Sequence, residues 1–308
     1  MKYIEGNTEF GFKNSAVTLG KFDGIHLGHR QLLDLVLSCR ERGMTAIMLS
    51  FLPHPSNLFS DKELELIYTE EEKLAILSRS GVDVLISYPL TESTKRMEPE
   101  EFIREILINK LDAKIIAVGN DYRFGSGRRG DVALLKKYEG LYGYKVLACE
   151  KTKYKNKIIS SSEIRNALKE GNMELVNAML GQPYFIRGEV VHGRKLGRTI
   201  GMPTTNLIPS SDKLLPPCGV YASRTRIDGR YYPGVTNIGY KPTVGEEEFI
   251  GVETYIFDFE KDLYGEIIEV ELYSNIRPEM KFGSLEELTQ RMNEDIRLTK
   301  RYFKNTNL

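Results

Sequence analysis

Short apolar runs alternate with amphipathic segments from the start of this chain to about residue 180. AVTLG (16–20), TAIMLSF (45–51) and KIIAVG (114–119) are typical of buried strands, and apolar residues recur at helical spacing between them. This alternation predicts a Rossmann-like α/β domain, a parallel sheet with helices on both faces. Ligands bind such sheets at the carboxyl ends of the strands, so we expect a site after AVTLG and KIIAVG.

From about residue 184 the pattern changes to runs rich in β-branched and aromatic residues, separated by Gly and Pro. Asp228-Gly229 between two such runs predicts a hairpin. This half is expected to form an antiparallel β-barrel that ends in one helix. The boundary is expected at Gln182-Pro183, which gives domains 1–182 and 183–308.

Charge and cysteine content limit the class of protein. Lys plus Arg and Asp plus Glu number 43 each, so the net charge is zero and a nucleic-acid or membrane-surface binder is not expected. Three scattered cysteines without a CxxC pair indicate a reducing compartment. With no apolar export segment at the N-terminus, the sequence predicts a cytoplasmic protein that acts on small molecules as a monomer or weak homo-oligomer.

Two of the four histidines, His26 and His29, lie in KFDGIHLGH (21–29), directly after the strand-like run AVTLG. A metal site needs at least one further protein ligand, and neither His54, His192 nor any cysteine has the spacing of one. Simple packing at a strand–helix junction is a second possibility.

The position of the pair favours a third possibility, a phosphate site. Gly24 and Gly28 allow the backbone to turn tightly and to approach a ligand closely. Free N–H groups and the positive end of the helix dipole point outward where the helix begins. Imidazoles at this place can donate hydrogen bonds to phosphate oxygens and stabilise charge in a transition state.

Four motifs in the first half resemble the nucleotidyltransferase superfamily. GKFDGIHLGH (20–29) is similar to its (H/T)xGH signature, and ISSSEIR (159–165) is similar to its ISSTxIR motif, although Ser160 and Glu163 also have the spacing of a helix cap. GNDYRFGSGRRGD (119–131) resembles the segment GxDFxFG, and PHP (53–55) also matches the family.

The resemblance implies roles for individual residues. His26 and His29 would bind phosphates and stabilise charge, and His54 is a further candidate. Asp121, Tyr122, Arg123 and Phe124 would hold flavin and nucleotide, with Arg128 as an alternative phosphate partner. The remaining residues implied to bind the phosphates of ATP are Gly20, Phe22, Asp23, Gly28, Ser161, Ser162 and Arg165.

GEVVHGRKLGRTIGMPTTN (188–206) in the second half resembles the riboflavin kinase signature that leads into PTAN. The resemblance implies a phosphate-covering flap with Gly188, Gly193, Gly197 and Gly201. Thr204 and Asn206 share one face of a strand, where their oxygens suit Mg²⁺. Thr205 stands where alanine is usual in the family, and we expect its hydroxyl to point to the opposite face.

Further segments match the same kinase family. VETYIFDF (252–259) resembles the strand that carries the catalytic carboxylate, which would be Glu253. GVY (219–221) and NIG (237–239) resemble adenine-nucleotide segments, with Tyr221 and Asn237 as candidates. NIRPEMKF (275–282) resembles the flavin loop, with Arg277, Glu279 and Phe282.

The resemblance extends over the chain in family order, to the bacterial bifunctional riboflavin kinase/FAD synthetases. It implies phosphorylation of riboflavin to FMN with Mg²⁺ and ATP in the second half. It also implies adenylylation of FMN to FAD, with release of pyrophosphate, in the first half. The alternatives are an enzyme with one of the activities, an adenylyltransferase for another phosphate, and a non-catalytic flavin-binding regulator.

Overall fold

The chain folds into two compact units, Met1–Ser161 and Ser162–Leu308. The computed structural model describes residues 1–52, 65–193, 197, 201–242 and 248–306. Among these residues, no helix is long and apolar enough to cross a lipid bilayer.

The first unit is built on one six-stranded sheet in which all neighbouring strands are parallel. The strands are β1 Lys2–Glu5, β2 Ser15–Leu19, β3 Thr45–Leu52, β4 Val84–Pro89, β5 Ala113–Gly119 and β6 Lys145–Cys149. Their spatial order is β1-β4-β3-β2-β5-β6, so the chain moves outward in one direction from β2 and in the other from β5. The Rossmann-like prediction is confirmed.

Helices cover both faces of this sheet, which explains why its central strands are nearly continuous apolar runs. Val17, Ile47 and Ile116 are completely buried in the core. A small antiparallel pair, β7 Lys153–Tyr154 and β8 Lys157–Ile158, follows β6. The helices are α1 Leu27–Ser38, α2 Glu70–Ser78, α3 Glu92–Arg96, α4 Pro99–Glu101 (continued by the π-helix Phe102–Lys110), α5 Val132–Lys137 and α6 Glu139–Tyr142, with 3₁₀ turns at Cys39–Arg42 and Ser126–Arg128.

The second unit contains an antiparallel sheet of the strands β9 Tyr184–Glu189, β10 Thr204–Leu207, β11 Gly219–Ile227, β12 Arg230–Pro242, β13 Glu248–Ile256 and β14 Ile267–Pro278. Their spatial order is β10-β13-β12-β11-β14-β9. An isolated bridge between Val191 and Asn206 joins the two edges, so the sheet curls into an incompletely closed barrel. The predicted hairpin is confirmed, since Asp228 and Gly229 take positive φ between paired Ile227 and Arg230.

Helices α7 Ser161–Lys169, α8 Met173–Leu180 and α9 Leu285–Thr306 lie in the described residues of this half of the chain. The helix α8 packs against β9 and β14, and α9 packs against β11, β12 and β14. Ser284 caps α9 by accepting a hydrogen bond from the Glu287 amide at 3.2 Å.

A buried ion pair attaches α9 to the sheet. Arg277 on β14 donates from Nη2 to Oδ2 of Asp295 at 2.8 Å and from Nε to Oδ1 at 3.0 Å. Arg277 is 9% exposed and Asp295 is 1% exposed, so water could not solvate either charge if its partner were removed. Removing one partner of such a pair is costly because the other charge remains buried.

We therefore expect Asp295→Asn to lower the free energy of unfolding of the second unit by about 3 kcal/mol. Glu294→Gln is the matched control. It removes a carboxylate from the same helix that contacts Arg291 at 2.5 Å but is 40% exposed, and should change stability by no more than about 0.5 kcal/mol. Scanning calorimetry, which resolves transitions of separate domains, measures both. If both variants lowered the free energy of unfolding by the same small amount, the result would contradict a stabilising role for the buried pair.

Two candidate active sites

The first candidate site lies where the strand order of the parallel sheet reverses, between β2 and β5. A cavity of about 870 Å³ opens there, as expected for ligand sites at the carboxyl ends of parallel strands. The predicted residues that line it come from three separate segments of the sequence: Gly20, Phe22, His26, Gly28, His29, Asp121, Tyr122, Arg123, Phe124 and Ser161.

The loop between β2 and α1 has an unusual backbone. Phe22 and Ile25 are buried, yet their φ angles are 49° and 43°, in the left-handed region that side chains rarely adopt. Asp23 does not line the cavity; its Oδ1 accepts a hydrogen bond from the Ile67 amide at 3.1 Å. Its carbonyl oxygen accepts one from Ser161 Oγ at 2.9 Å. This last contact joins the HLGH loop to the start of the serine motif.

The two histidines are stacked, with ring centroids 3.7 Å apart and an interplanar angle of 16°. Nδ1 of His26 accepts a hydrogen bond from the His29 amide at 3.3 Å, so His26 caps α1. Because Nδ1 accepts, Nε2 carries the proton of the neutral ring and is the donor. Nδ1 of His29 is buried and has no hydrogen-bond partner in the described part of the chain.

Burial keeps both imidazoles neutral near neutral pH. It lowers the pKa of His26 to about 4. It also lowers the pKa of His29 well below its usual value, and the charges of His26 and Lys73 lower it further. A neutral ring donates one hydrogen bond to a ligand and adds no full positive charge to the site.

The loop after β5 supplies aromatic and charged side chains. Tyr122 and Phe124 are stacked with centroids 5.7 Å apart, and burial raises the pKa of Tyr122. Asp121 pairs with Lys151 at 2.7 Å, and Arg123 pairs with Asp131 at 2.9 Å.

Other residues of the first site were missed or remain predictions. Lys21, Lys95 and Lys151 line the cavity although the sequence analysis did not name them as candidates. Arg128, which was named as an alternative phosphate partner, lines the cavity as well. Ser162 and Arg165 lie further along α7, in the second compact unit. His54 falls in residues 53–64, outside the described residues. The positions of Lys95 and Lys151, after β4 and β6, are the sequence signal that could have identified them.

The second candidate site is a cavity of about 490 Å³ within the second unit. Gly188, Gly201 and Tyr221 do not line it: Gly188 is paired with Ile268 in the sheet, and Tyr221 is fully buried and donates from its hydroxyl to the Pro217 carbonyl at 2.5 Å. The predicted residues that do line it are Gly193, Gly197, Thr204, Asn206, Asn237, Glu253, Arg277, Glu279 and Phe282.

Strand register gathers the polar groups of this cavity around Glu253. Glu253 on β13 is paired with Asn206 on β10 and with Asn237 on β12. Thr204 Oγ1 donates to Glu253 Oε1 at 2.7 Å. Thr205 does not line the cavity, and its hydroxyl donates to the Thr254 carbonyl at 3.3 Å.

Two glycines allow the backbone to approach side chains that line the second cavity closely. A Cβ on Gly193 would lie 2.3 Å from Asn206 Nδ2, so the backbone passes directly over this amide. A Cβ on Gly239, in the NIG segment, would lie 2.1 Å from Glu279 Oε1. Larger residues at either position would displace a candidate ligand-binding side chain.

The second cavity also has lining residues that were not predicted. Lys241 on β12 and Asp295 on α9 are among them, together with an apolar face of α9. The spacing of that face, Leu288, Met292 and Ile296, could have indicated a buried stripe. No group of three or more His, Cys, Asp or Glu side chains suited to a metal ion occurs within the described ranges.

The lowered pKa of His26 predicts a pH-dependent stability. Between pH 6.5 and about 4 the unfolded state binds a proton at this residue that the folded state does not, so stability falls as pH falls through this range. The loss amounts to roughly 3 kcal/mol for the complete shift. Thermal unfolding of the first unit from pH 7 to 4 measures it.

Two variants isolate this contribution. His26→Gln should make the pH dependence of the first unit shallower, because glutamine does not titrate. His192→Gln, which removes an exposed imidazole of the second unit, should leave the pH dependence of the first unit's stability unchanged. An identical pH profile in the wild type and His26→Gln would contradict the assignment.

Comparisons with known proteins agree with the division into two sites. A family model for FAD synthetase matches residues 11–163, and one for riboflavin kinase matches residues 180–303. A solved structure from Streptococcus pneumoniae, described as a macrolide-efflux protein, superposes with a TM-score of 0.86 at 30% identity and covers 97% of this chain and 99% of its own.

Two curated relatives carry the same description, bifunctional riboflavin kinase/FMN adenylyltransferase. The protein from Bacillus subtilis (strain 168) is 39% identical over 297 residues, which is 94% of this chain and 93% of the relative. The protein from Escherichia coli (strain K12) is 39% identical over 291 residues, or 93% and 92% of the two chains. This chain belongs to the family of bifunctional riboflavin kinase/FMN adenylyltransferases.

Proposed function

We propose that this protein makes FAD from riboflavin in two steps, one at each cavity. At the second cavity ATP phosphorylates riboflavin to FMN. At the first cavity the FMN phosphate attacks the α-phosphorus of a second ATP, which gives FAD and releases pyrophosphate. The observation that carries the proposal is that most of the predicted kinase residues line the cavity of the second unit, whereas most of the predicted adenylyltransferase residues line the cavity of the first unit.

In the kinase step Glu253 acts as the general base. The primary hydroxyl of riboflavin is a poor nucleophile at neutral pH, and a carboxylate placed beside it accepts its proton as its oxygen attacks the γ-phosphorus. The bond between the γ-phosphorus and the β,γ-bridging oxygen breaks, and ADP leaves. The hydrogen bond from Thr204 fixes one oxygen of this carboxylate.

Mg²⁺ would be held by Thr204 and Asn206 together with the phosphates of ATP. Both side chains offer the hard oxygens that Mg²⁺ prefers. The Thr204 hydroxyl donates a hydrogen bond to Glu253, so the lone pairs of the Thr204 oxygen remain available to a cation. When bound, the ion neutralises charge on the phosphates and on the phosphoryl group in transfer.

In the adenylyl transfer His26 and His29 donate hydrogen bonds to the phosphates and stabilise the charge that develops at the α-phosphorus. Ser161, which lines the cavity, is assigned to the leaving pyrophosphate. The family resemblance alone extends this role to Ser162 and Arg165, since hydroxyls and a guanidinium suit the oxygens of pyrophosphate. Gly20, Phe22 and Gly28 shape the nucleotide side of the cavity, and Asp121 to Phe124 contact the flavin side.

The wider assignments follow from these two activities. We take residues 1–182 as the adenylyltransferase domain and 183–308 as the riboflavin kinase domain. The substrates are small molecules, and no nucleic acid or membrane takes part. The three free cysteines fit a cytoplasmic enzyme, which would act as a monomer or a weak homo-oligomer.

The test is to incubate the purified protein with riboflavin, Mg²⁺ and ATP and to separate the flavins by chromatography. FMN should appear first and FAD should follow. Accumulation of FMN alone would contradict the assignment of the first cavity. Conversion of added FMN to FAD without any product from riboflavin would contradict that of the second.

Paired variants test whether the two sites are separate. His29→Ala should lower FAD formation from FMN roughly 10²–10³-fold, because a hydrogen-bond donor to the transition state is lost, and should spare phosphorylation of riboflavin. Glu253→Gln should lower that phosphorylation roughly 10²–10⁴-fold through loss of the base, and should spare FAD formation. Each variant is the control for the other. Equal loss of both activities in either variant would contradict separate sites.

A further inference from the structure

Both carboxylate oxygens of Glu253 are engaged by side chains. Thr204 Oγ1 donates to Oε1 at 2.7 Å, and Lys241 Nζ donates to Oε2 at 2.5 Å. The family resemblance accounts for Thr204 and Glu253 but assigns nothing to Lys241. Lys241 also lines the cavity that contains Glu253. Its ammonium group contacts Oε2, the carboxylate oxygen that Thr204 leaves available to accept the proton of the riboflavin hydroxyl.

The fold directs Lys241 toward Glu253 along a definite path. Lys241 on β12 is paired with Phe249 on β13, whereas Glu253 lies four residues further along β13. The lysine stem crosses this interval over Gly251: a Cβ there would lie 2.8 Å from Lys241 Cγ and 3.4 Å from Cε. The glycine leaves space for the stem, since any larger residue would meet it.

The pair is too exposed to matter much for stability. Both side chains are 27% exposed, and solvated ion pairs contribute little to the free energy of folding. The same contact can still affect the reaction rate, because it holds the Glu253 carboxylate in one orientation inside the cavity. A catalytic group that is displaced by about 1 Å can lower the rate roughly 10²-fold.

We propose that Lys241 is the positioning residue for Glu253 in the phosphorylation of riboflavin. With Thr204 it holds the carboxylate at both oxygens, so that Oε2 faces the substrate hydroxyl. Each carboxylate oxygen has two lone pairs, so Oε2 can accept from Lys241 and from the hydroxyl together. The inference rests on the proposed kinase function and adds a residue to it.

The test measures kcat and KM for riboflavin phosphorylation. Lys241→Met keeps the apolar stem and removes the charge; it should lower kcat about 10- to 100-fold and change KM for ATP and riboflavin less than about threefold. Lys241→Arg should recover part of the loss, because it restores a donor to Oε2. Lys261→Met, which removes an exposed lysine from the same unit, should match the wild type. Unchanged FMN adenylylation provides an internal control.

Two further variants separate positioning from other effects. In a Glu253→Gln background, adding Lys241→Met should cause no further loss, since Lys241 acts through Glu253. Gly251→Ala should lower kcat less than Lys241→Met, because it displaces the stem and keeps the charge.

Several results would overturn the proposal. One is an unchanged kcat in Lys241→Met. Another is a raised KM for ATP at unchanged kcat, which would make Lys241 a phosphate ligand. A third is full additivity with Glu253→Gln. If the wild type itself makes no FMN from riboflavin, the proposed kinase function fails, an outcome distinct from these.

Discussion

Hydrogen-bonded pairing between strands is the constraint on which both sites depend. In the first unit, β2 pairs in parallel with β3 on one side and with β5 on the other. The two loops that leave β2 and β5 therefore start side by side, although their segments are far apart in sequence. In the second unit, pairing aligns Asn206, Glu253 and Asn237 across three strands. Backbone pairing alone thus brings most of the candidate residues together.

The two proposed reactions pose opposite electrostatic problems. In the first, charge must be stabilised next to a triphosphate, and the groups at the helix start are neutral imidazoles, because burial disfavours their charged forms. The cations Lys21, Lys95 and Lys151 line the same cavity. In the second, a carboxylate must remain available near phosphates that would repel it. There the ammonium of Lys241 lies against it and offsets that repulsion.

The sequence predicted the architecture better than the details of each site. Strand–helix alternation and the Asp228-Gly229 turn depend on local patterns, so the sheet type and the hairpin could be read directly. Motif resemblance brought out Glu253 and the histidine pair. Lys241 could not be found in this way, because its role depends on the register of β12 against β13 and on the space left by Gly251. Neither quantity is visible in a linear pattern.

The loop that carries the histidines illustrates how a residue can shape a site without lining its cavity. Phe22 and Ile25 hold left-handed φ angles while buried, conformations that cost on the order of 1–3 kcal/mol each unless the surroundings impose them. Asp23 lies between them and is bound through its carboxylate to the Ile67 amide and through its carbonyl to Ser161. These contacts hold the strained turn in place, so that His26 can cap α1 with one ring nitrogen and present the other as a donor. The motif residue Asp23 thus acts through the backbone that it fixes.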